Sequence, residues 1–120
     1  MRFIHTHQSG ISVVNQHNEV RSMDDPSEGN ACHTYTVNVH GVERARIEFQ
    51  KGPMIEKGTN GVTDEALLAI VIDRLRGFNG GLNQCRQNAI AITKLEEALH
   101  WLFDRTHDRM NRGVEGTNQP

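Results

Sequence analysis

A chain of 120 residues, 36% apolar and 23% charged, is long enough for one modest core but lean in the material to fill it. A formal net charge of −2 and a pI near 6.4 lack the basic footprint of a duplex nucleic-acid binder. No run approaches the roughly 18 apolar residues of a membrane span, and Met1-Arg2-Phe3-Ile4-His5 lacks the apolar centre of a secretory signal, so a cytoplasmic protein is expected. Cys32 and Cys85 form no CxxC and lie in different predicted elements, which reads as two free thiols.

The first thirty residues carry weak patterning. Ile11-Ser12-Val13-Val14 is a candidate short strand, and Arg21 to Asn30, with Pro26 and Gly29, reads as a loop. Clean alternation follows: Tyr35, Val37 and Val39 against Thr34, Thr36 and Asn38, the period of a half-buried strand. His40-Gly41-Val42-Glu43 reads as a turn. Arg44 to Gln50 alternates again, with Ala45, Ile47 and Phe49 on one side. After Gly52-Pro53, Met54 to Lys57 is expected as a third short strand, stopped by Gly58. The result is an antiparallel meander with one apolar face, which needs a cover.

The second half is helical. Thr63 can cap a helix whose first turn holds Asp64 and Glu65. Ala66, Leu67, Ile70, Val71 and Leu75 recur at helical spacing, and the helix is expected over 63–76, ending at Gly77. A second helix is expected from about Asn83 to Arg112, roughly 45 Å long. Its apolar positions Cys85, Ala89, Ile92, Leu95, Leu99, Leu102 and Phe103 form a near-heptad stripe. One sheet and one short helix offer too little surface to cover it, so self-association is expected, the other reading being a long helix draped over its own sheet. The fold class is therefore α+β: an N-terminal antiparallel β-meander, then a C-terminal helical hairpin with one long helix, in a dimer-based oligomer. One domain is expected over 1–120, with a sheet part at 1–58, the hairpin at 61–112 and a flexible tail at 113–120.

The chemistry concentrates at the end of the long helix. Arg105, Arg109 and Arg112 share one face at i, i+4 and i+7, where like charges repel. Arginine forks onto phosphate oxygens in a way lysine cannot, so the row suits a small polyanion. The same row also fits a solvated helix end, favoured by the macrodipole and paired to Asp104 and Asp108. Phe78, among glycines, can stack on a nucleobase or plug a core. Asn88 can read an adenine edge or simply face solvent. His5-Thr6-His7 resembles a metal pair but has no further ligand at suitable spacing, so no metal is expected. His-x-Thr pairs, GxSxG, a phosphate-binding Gly-Lys loop and an acidic dyad are all missing, so neither catalysis nor a cofactor is expected.

The run from Asn88 to Leu102 (NAIAITKLEEALHWL), followed by Arg105, Arg109 and Arg112-Gly113-Val114-Glu115-Gly116-Thr117, resembles a known family. It is similar to the phage Thoeris anti-defence proteins of the first type, whose helical hairpin is shared with the second anti-CBASS sponge protein. The resemblance extends back through Gly61-Val62-Thr63-Asp64-Glu65-Ala66-Leu67-Leu68 and covers roughly residues 31–118. It implies a sponge: a protein that captures a TIR-made cyclic ADP-ribose isomer intact and so disarms the Thoeris alarm. For some members it also implies cyclic trinucleotides of the CBASS alarm held at separate sites, in a homodimer or a hexamer built as a trimer of dimers. By position, Phe78 matches the family's base-stacking aromatic and Asn88 a polar contact to the ligand. Arg105 and Arg109 match its phosphate-holding arginines. Arg112, Gly113 and Thr117 fall in the segment associated with the second kind of ligand, and Lys57 is a further candidate cation. The competing readings are an enzyme that degrades the same signal, and a helical interaction module that blocks a defence protein directly.

Overall fold

The computed structural model describes the backbone of residues 1–9 and 16–120, with the side chains of 1–6 and 17–120. The candidate strand at Ile11–Val14 and the side chain of His7 lie outside the described residues. Two compact units emerge: residues 1–52 with 59–61, and residues 53–58 with 62–120.

The first unit is a four-stranded antiparallel meander in the order β1 (Arg2–Ser9), β2 (Gln16–Ser22), β3 (Thr34–Val39), β4 (Val42–Glu48). The β3–β4 hairpin turns on two residues alone, His40 at φ 52 and Gly41 at φ 76. Two positive φ values make the tight turn whose twist matches paired strands. Val42 and Glu43, expected in that turn, therefore belong to β4. Register places Val20, Val37 and Ala45 side by side, and Ser22, Tyr35 and Ile47 beside them. The opposite face carries Arg21, Thr36 and Arg46. Burial does not follow this apolar pattern. Tyr35, Val37, Val39 and Ile47 are only half-buried, while Thr36, Ser22 and Cys32 are buried. Ser22 is tied by its hydroxyl to the Arg2 carbonyl at 3.5 Å.

β1 and β2 were not expected as strands, since they hold few apolar residues. Pairing accounts for them: β2 finds its hydrogen-bond partners on β3, and β1 finds its own on β2. The loop after β2 is closed by Asp24. Its carboxylate accepts from the backbone N–H of His33 at 2.9 and 3.1 Å and from that of Thr34 at 3.1 Å. Ser27 Oγ meets His33 Nε2 at 2.6 Å across the same loop. The Thr34 N–H, with the His33 N–H and the nearby His33 ring, holds the Asp24 carboxyl below its usual range, against a smaller opposing effect of burial.

A depressed carboxyl pKa means that the folded state binds fewer protons than the unfolded chain. The contribution is present above the unfolded value of about 3.9 and is lost as pH falls through the folded value. The His33 and Thr34 amide resonances are therefore expected to shift together with a midpoint below the ordinary aspartate value. In Asp24→Asn that acid transition should vanish. Its persistence in the variant would show that another group closes the loop.

Within the second unit, α1 (Met54–Lys57) is a single helical turn, not the expected third strand. Pro53, buried and at φ −65, accepts from the N–H groups of Glu56 and Lys57 at 3.1 and 2.8 Å. Proline is preset for a helix start, and four residues are too few for periodicity to separate helix from strand. α2 spans Asp64–Asn79, capped by Thr63 Oγ1, which accepts from the Ala66 N–H at 3.2 Å. It runs through Gly77, its expected end, and closes where the Gly80 N–H reaches the Arg76 carbonyl at 2.9 Å. A lone glycine weakens a helix by about 1 kcal/mol but does not stop one.

α3 (Arg86–Asn111) is about 39 Å long by its rise per residue. It is shorter at its start than the helix expected from Asn83, because Cys85 serves as the N-cap. Its far end is closed by Gly113 at φ 72, with Gly113 N–H to the Met110 carbonyl and Val114 N–H to the Arg109 carbonyl. That paired bonding satisfies two otherwise orphaned carbonyls. Ile72 of α2 and Ile92 of α3 are the buried apolar residues of this unit, with Leu68, Leu75, Leu95 and Leu99 half-buried around them. The middle of the predicted stripe thus packs inside the hairpin of a single chain.

Candidate functional site

The two ends of the hairpin carry different chemistry. At the loop end, Phe78 lies in the last turn of α2 and not in a turn beyond it. It is 38% exposed, and the Arg74 guanidinium sits 4.7 Å from its ring centroid. A cation on one face polarises the ring and leaves the rest for a stacked base. Four residues separate Arg74 and Phe78, so the contact follows from helical spacing. Ending the helix at Gly77 concealed it from the sequence.

Asn88 stands in the first turn of α3, half-buried. Its Nδ2 donates to the Asn83 carbonyl at 3.2 Å, leaving its side-chain oxygen without a protein partner among the described residues. Its backbone N–H is taken by Cys85 Sγ at 3.4 Å. The connecting loop is closed by the Asn79 carboxamide, which accepts from the Cys85 N–H at 3.0 Å. Phe78 and Asn88 are therefore held at the same end by a bonded loop.

The arginines lie at the opposite end of α3. Asn88 and Arg105 are seventeen residues apart, roughly 25 Å along the helix. Arg105 is exposed and has no hydrogen bond or ion pair among the described residues. Arg112 is bonded to Asp108 at 3.0 Å and to the Pro120 carbonyl at 2.9 Å. Arg109 is turned into the segment that follows its own helix and bonds Glu115 at 3.2 Å. Gly113 and Thr117 belong to this folded-back segment, with Thr117 Oγ1 on the Val114 carbonyl. Lys57 sits in the last turn of α1, exposed, and not on a strand edge. Its helix meets the tail, since the Ile55 N–H donates to the Gly116 carbonyl at 3.2 Å. Lys57 is thus carried to the same end as the arginines. Glu115 and Ile55, which organise this end, had no signal in the sequence beyond their nearness to the glycines.

Between the helices a groove of about 290 Å³ is lined by Ala69, Ile72, Leu99 and Phe103, with Arg76, Glu96 and His100. Arg76 and Glu96 pair across it at 2.6 Å but are about half exposed, so the pair adds little stability. Among the described residues, no group of three or more histidine, cysteine or acidic side chains is arranged to hold a metal ion. No described helix is long and apolar enough to cross a membrane.

A β-meander followed by a helical hairpin, with an aromatic and an amide at one end and arginines at the other, defines a hairpin-domain protein with separated polar ends. Residues 42–104 match the family described as Acb2/Tad1, hairpin domain. The chain belongs to that family. The match takes in Phe78 and Asn88 and stops just before Arg105. Over 84 residues the chain is 52% identical to Thoeris anti-defense 1 of Bacillus phage SBSphiJ7. That alignment covers 70% of this chain and 59% of the relative.

Proposed function

We propose that this protein is a phage anti-defence sponge that binds a cyclic ADP-ribose isomer, such as glyco-cyclic ADP-ribose, and holds it unaltered. Thoeris immunity, signalled by that molecule, is then inhibited in the cytoplasm of the infected cell. The observation that carries this reading is the presence on one hairpin of an exposed aromatic, backed by Arg74, and of Arg105, a cation without a partner among the described residues. Stacking and charge-assisted bonds are what a base-bearing pyrophosphate needs. The family membership and the name of the aligned relative support the same reading.

A gap of roughly 25 Å is too wide for one small ligand to bridge within one chain. An antiparallel partner would bring Arg105 of the partner subunit beside Phe78. The surface supports such a partner. Trp101 is 68% exposed and Ile70 62%. Trp101 is nine residues from buried Ile92, half a turn around α3, so this helix is apolar on both sides. A homodimer, or three such dimers in a hexamer, would bury these residues. Light scattering at micromolar concentration is expected to give a dimer or larger, and a monomer would remove the basis for a shared pocket. Cyclic trinucleotides are proposed for a separate site along Arg112, Gly113 and Thr117.

The test of the sponge is recovery. The protein is mixed with glyco-cyclic ADP-ribose, the unbound fraction assayed, and the complex heat-denatured. Depletion followed by full release of intact ligand is expected. Release of a cleaved product would point to an enzyme. No depletion in the absence of any defence protein would point to a module that blocks a protein directly.

A further inference from the structure

Arginine carries five N–H donors in a fixed fork, and on Arg109 each of them faces the segment that follows α3. Nε donates to the Glu115 carboxylate at 3.2 Å. One terminal nitrogen donates to the carbonyls of Gln119 and Pro120 at 2.8 and 3.4 Å. The other donates to those of Val114 and Thr117 at 3.0 and 3.1 Å. The side chain is 21% exposed, so its own chain encloses it. The wrap depends on two glycines with positive φ, Gly113 at 72° and Gly116 at 81°. Gly116 also packs under Ile55, where an added Cβ would lie 3.1 Å from the Ile55 side chain.

A guanidinium so surrounded has no donor left for a phosphate, whereas Arg105, one turn earlier, has all of its donors free among the described residues. We propose that the segment Val114–Gln119 is a built-in competitor for Arg109, and that a phosphate-bearing ligand seats there only by exchanging the tail's acceptors for its own oxygens. The inference rests on the reading that the arginine row receives phosphates. The exchange is feasible because most of the tail acceptors are neutral carbonyls, while phosphate oxygens make charged, bidentate bonds of greater strength. Apparent affinity then scales with the fraction of molecules whose tail is open. Arg105 makes first contact, and Arg109 closes on the ligand as the tail leaves.

The tail reports its own state through two amides: Thr117, bonded to the Val114 carbonyl, and Ile55, bonded to the Gly116 carbonyl. Hydrogen exchange at both is followed in the full chain during titration with cyclic ADP-ribose, and separately with inorganic pyrophosphate. Glu115→Gln, which removes the one charged acceptor within Val114–Gln119, is titrated alongside. Saturation is expected to speed exchange at both amides, and Glu115→Gln to bind roughly two- to fivefold more tightly, the range of an exposed ion pair. Binding that leaves these amides as protected as before, or a Glu115→Gln affinity that is equal or weaker, overturns the competitor. If pyrophosphate opens the tail and cyclic ADP-ribose does not bind, the inference stands and the ligand assignment falls. If neither molecule binds, both fall.

Discussion

Arg105→Ala is expected to weaken capture of cyclic ADP-ribose about ten- to a hundredfold, the worth of a charged hydrogen bond, with no change in thermal unfolding. The two halves of that expectation have one cause. Arg105 is exposed and makes no bond within its own chain among the described residues. The fold therefore loses nothing with it, and any loss must fall on what it binds. Arg109→Ala should behave differently. It should weaken capture and also release the tail, so exchange at Thr117 rises with no ligand present. Arg105→Lys should recover only part of the affinity, because a point charge cannot fork onto two oxygens. Calorimetry beside a melting curve reads all three. An Arg105→Ala protein that binds as tightly as the natural chain would take the phosphates away from this end of the hairpin.

Gly61→Ala is expected to cost about 3 kcal/mol or more, as overpacking against an unyielding neighbour does. A Cβ at this position would lie 2.4 Å from the Phe49 carbonyl carbon, 2.5 Å from its oxygen and 2.7 Å from the Gln50 nitrogen. All three are backbone atoms, so no side chain can swing aside. The neighbouring residue is held in place as well. Asn60 Oδ1 accepts from the Lys51 N–H at 2.8 Å, and Asn60 Nδ2 donates to the Lys51 carbonyl at 2.8 Å. Relieving the clash would break that clip. For a chain of this size the melting temperature should fall by more than about 10 °C. Gly77→Ala is the control of opposite sign. It lies inside α2 with open space around its would-be Cβ. Helix propensity alone should raise stability by up to about 1 kcal/mol. Equal effects from the two substitutions would mean that contact at Gly61 does not decide its role.

Much of the candidate site was legible. The arginine row follows from spacing alone, and the exposure of Phe78 agrees with an aromatic set among glycines. The resemblance named the family to which the chain belongs, on residues that fall largely within the matched segment. What the arginines do in the free protein was not legible. Three identical side chains at helical spacing look equivalent in sequence, yet among the described residues one has no partner, one is paired to Asp108 and one is enclosed by the tail. That division depends on where Gly113 and Gly116 turn the chain, and a glycine announces a turn without saying what it will meet.

By itself the sequence determined the elements whose cause is local. Alternation over Thr34–Val39 and beyond made strands, His40-Gly41 made the turn between them, and Thr63 with its acidic neighbours began α2. Each depends on residues within a few positions, so each can be read from a short window. The tertiary structure alone decided the rest. β1 and β2 exist because another strand offers them hydrogen-bond partners. Thr36 is buried although it sits on the polar side of its strand. The tail meets Met54–Lys57 because the Ile55 N–H reaches the Gly116 carbonyl. Gly61 is required because a distant stretch of backbone passes within touching distance of it. These features are set by contacts between residues far apart in the chain, and no local period carries that information.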